Sequence, residues 1–412
     1  MRIINKKRTH AFGLLQVSNI ASGVGNGIVM IAVPWLVLNR TGSPAAAGLL
    51  GALVSLPGIF VSPFIGVLID RVGRRTISIF ADIFSAISVL LFVVVDRVGS
   101  LTYLWIVLLA VLGAVFDPAG YTARKSLIPD VAKASAIKLD TANSRHEGLF
   151  AVGWAIGPAL GALLIKWTGP VNAMFVTSLL FALASLSVLA MRVDNERQRS
   201  RSQESRAETF WRSITGGFRA LRADQALLVL TFIFMFTSAV YMPIETVLLP
   251  VHFERLDDAG GLGVTMFALA LGMMCGAFSY ATIARRFSRY AILRGIMIAV
   301  AIAAVPMALL PPTPVFAAVG FLMGLGWGPF NPLWNTLVQR RVQADMHGRV
   351  YGVQISLLYA GPPVGQIIVG VSVERVGLQP TFIFVAGLFS VVALLVISLP
   401  ALRDLSRDRE TI

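Results

Sequence analysis

Twelve apolar stretches divide this chain of 412 residues, and they limit its fold more than any other feature. They run over 11–38, 45–69, 76–95, 101–121, 140–165, 170–191, 225–251, 262–284, 290–310, 314–337, 350–373 and 379–401. A hydrocarbon layer of roughly 30 Å takes about 20 helical residues to cross. Inside it, only helices or closed barrels satisfy every backbone polar group. The expected fold class is an all-α membrane protein with twelve transmembrane helices. Composition agrees, since 56% of residues are hydrophobic and 14% charged, more apolar surface than a water-soluble domain can hide.

The net charge of +14 raises nucleic-acid binding as an alternative, and the placement of the charges removes it. With both termini cytoplasmic, the outer loops hold only Arg40, Arg97, Lys166, Arg255 and Arg375 of the 35 Lys and Arg. All the others fall on the cytoplasmic side, as the positive-inside rule requires. The basic balance therefore reads as the orientation of a multi-pass chain in a lipid bilayer. No nucleic-acid partner is expected. Met1 to His10 is basic, the first apolar stretch exceeds a signal-peptide core, and no small-residue cleavage pattern follows, so it reads as a retained first helix. The lone Cys275 falls inside a span, which excludes a disulfide framework or a cysteine metal site.

The longest polar stretch, 192–224, separates two halves. The expected organisation is an N-terminal six-helix bundle over 1–191, a cytoplasmic linker over 192–224, a C-terminal six-helix bundle over 225–402 and a cytoplasmic tail over 403–412. Within the linker, Trp211, Ile214, Phe218 and Leu221 fall at helical spacing, while Arg212, Arg219 and Arg222 lie off that stripe. This predicts an amphipathic helix on the membrane surface; a solvated linker with incidental aromatics is the alternative. The halves repeat one another. Gly157-Pro158-Ala159-Leu160-Gly161 returns as Gly361-Pro362-Pro363-Val364-Gly365, 204 positions later. Phe116-Asp117-Pro118 returns as Phe330-Asn331-Pro332, and Asp70–Arg75 has a degraded counterpart at Ala284–Arg289, both 214 positions later. A duplicated six-helix unit is a transporter signature, because two halves rocking about one site give alternating access.

These residues resemble the major facilitator superfamily from about Ala11 to Leu402. The strongest match runs from Gly66 through Asp70, Arg71, Gly73, Arg74 and Arg75, and looks like that family's signature loop between helices two and three. The resemblance implies a gating latch, with Asp70 facing the N-terminal end of helix eleven and the arginines pairing with phosphates or carboxylates. A plain topology anchor is the alternative. Gly153, Gly157, Pro158 and Gly161 resemble the antiporter motif of span five, with Ser144 and Ala162 where the family pattern has glycines; ordinary tight helix packing explains the same residues. Phe116-Asp117-Pro118, with Asp345-Met346-His347-Gly348-Arg349-Val350, looks like the drug-efflux branch related to macrolide and siderophore exporters. Neighbouring branches carry an arginine in mid span four and an acid in span one. Here Arg124 is placed at the cytoplasmic end of span four, and span one offers only Gln16, Ser18, Asn19, Ser22 and Asn26.

An ionised side chain costs roughly 2.5–3.5 kcal/mol at the centre of a membrane helix, so acids within the spans ask for a reason. An antiporter needs a carboxylate that takes up a proton on one side and releases it on the other. The candidates, in order, are Asp117, Glu147, Asp82 and Glu245. Asp117 and Asp82 are alternatively latch partners of Arg71, Arg74 or Arg145, and Glu147 the partner of a loop arginine. Glu245 is alternatively wet, or attracts a cationic substrate. Gln16, Asn19, Asn26, Asn331 and Asn335 offer hydrogen bonds to a solute. Trp154, Tyr241 and Trp327, and with less weight Trp35, Trp334 and Phe236, offer aromatic walls. No nucleophile–base pair, phosphate-binding glycine loop or His/Cys cluster is present, so neither an enzyme nor a cofactor or metal is expected. The expected function is export of amphipathic small molecules, by proton antiport with alternating access, by a monomer. The alternative is a dedicated exporter of one metabolite, such as a siderophore or a lipid-linked substrate.

Overall fold

A computed structural model describes residues 10–191, 216, 218, 219, 221–343 and 347–406. It describes their side chains except those of 60–67, 70, 71, 139, 140, 144, 339, 347–349, 351, 352, 355 and 406. The described residues form twelve long helices: α1 Ala11–Thr41, α2 Pro44–Val72, α3 Arg74–Val98, α4 Tyr103–Ala134, α5 Leu139–Thr168, α6 Pro170–Ala190, α7 Gln225–Arg255, α8 Ala259–Arg286, α9 Arg289–Met307, α10 313–341, α11 His347–Val376 and α12 Leu378–Ser398. Eleven contain segments long and apolar enough to cross a membrane, and α2 holds the apolar run Pro44–Ile59. Phe175, Leu179, Leu183 and Leu186 run down α6 as an exposed apolar stripe, which suits a lipid-facing surface.

Two elements depart from the apolar pattern. The fourth span, expected to end at 121, continues as helix to Ala134, because a buried stripe of Gly120, Ala123, Arg124, Leu127, Ile128 and Val131 carries the helical period onward. The tenth is two helices, Thr313–Trp327 and Phe330–Arg341, divided at Gly328-Pro329, where proline supplies no N–H to a continuing ladder. Of the expected surface helix, Trp211 and Ile214 lie outside the described residues; Phe218 is exposed and Leu221 buried.

The chain divides into two compact units. One takes Met1–Gly42 with Leu53–Ser202, the other Ser43–Ala52 with Gln203–Ile412. In the first, α1 packs on α5 and α6, and α3 on α4 and α6. In the second, α7 packs on α11, α8 on α10, and α9 on α10 and α12. Three of these pairings thus recur six helices later, and the repeated glycines show why. A Cβ on Gly157 would stand 2.7 Å from Gly27 Cα, so α5 touches α1 backbone to backbone. A Cβ on Gly365 would stand 2.7 Å from the Ala239 carbonyl carbon, so α11 approaches α7 in the same way. Serines add ties across helices in the first unit: Ser178 Oγ donates to the Ala86 carbonyl at 2.9 Å and Ser88 Oγ to that of Leu109 at 2.7 Å. In the second, Arg341 Nη1 bonds Asp224 at 3.1 Å and Asp404 at 3.0 Å, closing the ends of α7, α10 and the turn after α12 together.

Candidate functional site

Gln16, Asn19, Ser22 and Asn26 follow one another at three or four residues, which places them on one face of α1. Gln16, Asn19 and Ser22 are buried. In this unit α3 and α4 bring three charged groups to that face. Arg124 Nη1 donates to both carboxylate oxygens of Asp82 at 2.8 Å, and Nη2 donates to Ser22 Oγ at 2.8 Å. Asn26 Nδ2 donates to Asp117 Oδ1. Asp117 also lies within electrostatic reach of both Arg124 and Asp82. Arg124 is 1% exposed and Asp82 2%, so the pair is withdrawn from solvent and held by its geometry. One guanidinium serves two carboxylates. With both ionised the cluster is one charge negative, and a single proton neutralises it.

The next residue along α4 points elsewhere. Lys125 Nζ lies 2.6 Å from Glu147 Oε1, above the Tyr121 ring, and the Tyr121 hydroxyl donates to Glu147 Oε2 at 3.2 Å. This outer pair is half-exposed.

These partners differ from those expected. Asp82 pairs with Arg124 and Asp117 bonds Asn26, and among the described side chains neither Arg74 nor Arg145 reaches them; the side chain of Arg71 lies outside the described residues, and Glu147 takes Lys125 in place of an arginine. The reason is the longer α4, which turns Arg124 inward from mid-helix instead of leaving it at a membrane face. Arg74 reaches Asp130 at 3.1 Å, Arg75 donates to the carbonyls of Val188 and Leu189 at 3.2 and 2.7 Å, and Arg145 is exposed. Gly73 has φ +104 at the tight turn into α3. Gly66 lies within α2, while the side chains of Asp70 and Arg71 lie outside the described residues, as do Asp345 and Met346 and the side chains of His347 to Arg349. Gly153, Gly157, Pro158 and Gly161 all face α1, against Ile20, Val24, Gly27 and Ile28.

In the second unit, α7 passes through a π turn at Ile244–Leu248, a form that concentrates at functional sites. Glu245 in that turn is buried, and no Lys or Arg among the described residues pairs with it. Tyr241 one turn earlier is within its reach and stacks on Trp327 at 4.9 Å; Trp327 stacks on Phe330 at 5.2 Å. Asn331 and Asn335 are exposed, as are Trp154, beside Phe150, and Phe236, whereas Trp35 and Trp334 are buried. The structure therefore gathers Asn26, Asp82 and Asp117 around an arginine that the apolar pattern had set aside, and separately joins Tyr241, Glu245 and Trp327.

The chain has known relatives. The multidrug efflux pump Tap of Mycolicibacterium fortuitum is 33% identical over 395 residues, 95% of this chain and 96% of the pump. Macrolide efflux protein A of Streptococcus pyogenes is 23% identical over 93% of this chain and 94% of that protein. Among solved structures, the nucleoside transporter NupG superposes with a TM-score of 0.74 at 13% identity, over 94% of this chain and 98% of that one, a likeness of fold alone. Residues 15–365 match the Major Facilitator Superfamily. This multi-pass chain therefore belongs to the Major Facilitator Superfamily, and is a transporter and not an enzyme.

Proposed function

We propose that the chain exports amphipathic small molecules, as a multidrug or antibiotic pump, across a bacterial inner membrane in exchange for protons, by alternating access. Both termini face the cytoplasm, and the monomer is the working unit. The cluster of Asp82, Asp117 and Arg124 carries this reading. It is a set of charges inside membrane-crossing helices whose net charge changes from −1 to zero on binding one proton. Asp117 is the first choice for the carrier, since Asp82 already has two bonds from Arg124. Glu147 is a weaker choice because Lys125 balances it at an open position. Glu245, with Tyr241 and Trp327, serves substrate recognition, a carboxylate beside stacked rings suiting a cationic amphipathic solute. Gln16, Asn19, Asn26, Trp154, Asn331 and Asn335 are the further substrate contacts, and the Gly66–Arg75 loop gates the cycle. The resemblance to pumps named for multidrug and macrolide efflux supports the substrate class.

A susceptibility panel of macrolides and lipophilic cations, on cells with and without the gene, tests the reading. Expression is expected to raise tolerance several-fold to more than one compound, and Asp117→Asn to erase the gain. Equal susceptibility across the panel would refute efflux.

A further inference from the structure

Beside the ion pairs, α5 buries a histidine that neither of them uses. His146 has no exposed surface, and neither Nδ1 nor Nε2 has a hydrogen-bond partner among the described residues. Its backbone is held, since Asn19 Nδ2 donates to the His146 carbonyl at 2.9 Å, and this leaves the imidazole unengaged. One turn along the same face of α1, both amide atoms of the buried Gln16 also lack partners among the described residues. Unsatisfied buried polar groups are costly, and in a membrane helix they ask for a function.

The surroundings suggest which function. The charges acting on the ring are Arg124 and Lys125 from α4 and Glu147 from its own helix. Arg145 is exposed, and α1 contributes only neutral groups, Gln16, Ser18 and Asn19. Arg124 belongs to the buried cluster and Lys125 to the half-exposed pair. His146 and Glu147 repeat that division on α5, the first buried and the second open. Through its carbonyl His146 is tied to Asn19, one turn of α1 from the Ser22 that Arg124 holds, so the imidazole lies between the arginine of the enclosed cluster and the accessible Glu147.

We propose that His146 is the relay through which the coupling proton passes between the Asp82–Asp117 cluster and the accessible Glu147. An imidazole accepts a proton on one nitrogen and releases another from the second, returning to neutral after each passage. A proton leaves the protonated carboxyl of Asp117 or Asp82 and bonds to the free ring nitrogen. That carboxyl becomes a carboxylate, and the N–H on the far side of the ring passes its proton to Glu147 or to water beyond it. No other bond changes. The inference rests on the proton-antiport reading above.

The test uses the full chain in proteoliposomes with an internal pH dye, and ethidium and erythromycin as probes. His146→Gln and His146→Asn keep a polar side chain that cannot carry a proton at neutral pH. Both are expected to reduce probe-driven proton movement to background while probe-for-probe exchange without a pH gradient stays near the wild-type rate. Proton movement per probe equal to wild type in either variant overturns the relay alone. Loss of exchange together with coupling marks a structural role and also overturns it. A wild-type chain that moves both probes without protons overturns the antiport reading and the relay with it. On the wild-type protein, the ¹⁵N imidazole signal of His146, assigned against His10, His252 and His347, is expected to change protonation state when probe is added. A signal indifferent to probe and to pH overturns the proposal without any variant.

Discussion

At position 124, a guanidinium engaged by Asp82 and Ser22 cannot be exchanged for a neutral side chain without leaving a buried carboxylate uncompensated. Arg124→Gln should destabilise the protein by about 3–5 kcal/mol, the usual cost of breaking one side of a buried pair. Asp82→Asn with Arg124→Gln should recover a large part of that loss. Thermal melting in detergent, followed by the loss of monodisperse protein, reads both; a single variant that melts with the wild type would mean the pair holds nothing. In the second unit, Glu245 has no basic partner among the described residues, so Glu245→Gln should leave folding intact. Tolerance to cationic compounds should fall while tolerance to neutral ones remains, and an equal loss of both would remove Glu245 from cation recognition. Asp82 and Asp117 were legible in the sequence because acids stand out within apolar runs. Arg124 was not, because the apolar run stops at Tyr121 and a basic residue just past such a boundary looks like a membrane-face anchor. The available signal was the continuing period of Gly120, Ala123, Leu127, Ile128 and Val131, on which Arg124 falls.

Among the elements, the contact of α5 with α1 depends most on single residues. Gly157→Val has no space, since even a Cβ meets the α1 backbone at Gly27. It should cost about 1–3 kcal/mol or displace the helix. Gly365→Val should act likewise between α11 and α7. Gly148→Val is the control, because nothing lies within 4 Å of a Cβ there. Yield of folded protein after detergent extraction should fall for the first two and hold for the third; equal yields would show that these approaches tolerate bulk. The repeated Gly-Pro-x-x-Gly pattern announced this duplication, because backbone contact in a membrane selects small residues at fixed spacing. A second trace of the duplication is conformational: Gly169 and Gly377 each open the sixth helix of their unit with positive φ, +85 and +97. The π turn of α7 and the break in α10 left weaker marks. A π turn has no composition of its own, and Gly328-Pro329 sits in a run that is still apolar on average.

For the molecule as a whole, span length and charge placement are what the sequence makes legible, because a bilayer fixes helix length and basic residues favour the inner loops. In a Cys275→Ser background, single cysteines at Ser100 and Val376 should react with an impermeant thiol reagent from outside. A cysteine at Phe287 should react only after permeabilisation, and the reverse order would invert the proposed topology. Proton coupling is tested most directly in everted vesicles. With an acid interior and a pH-sensitive dye inside, adding a compound to which the gene confers tolerance should make the lumen more alkaline, as protons leave in exchange for entering substrate. Asp117→Asn should abolish that change. A wild-type response of zero, or a response unaltered in both Asp117→Asn and Asp82→Asn, would contradict proton exchange through this cluster.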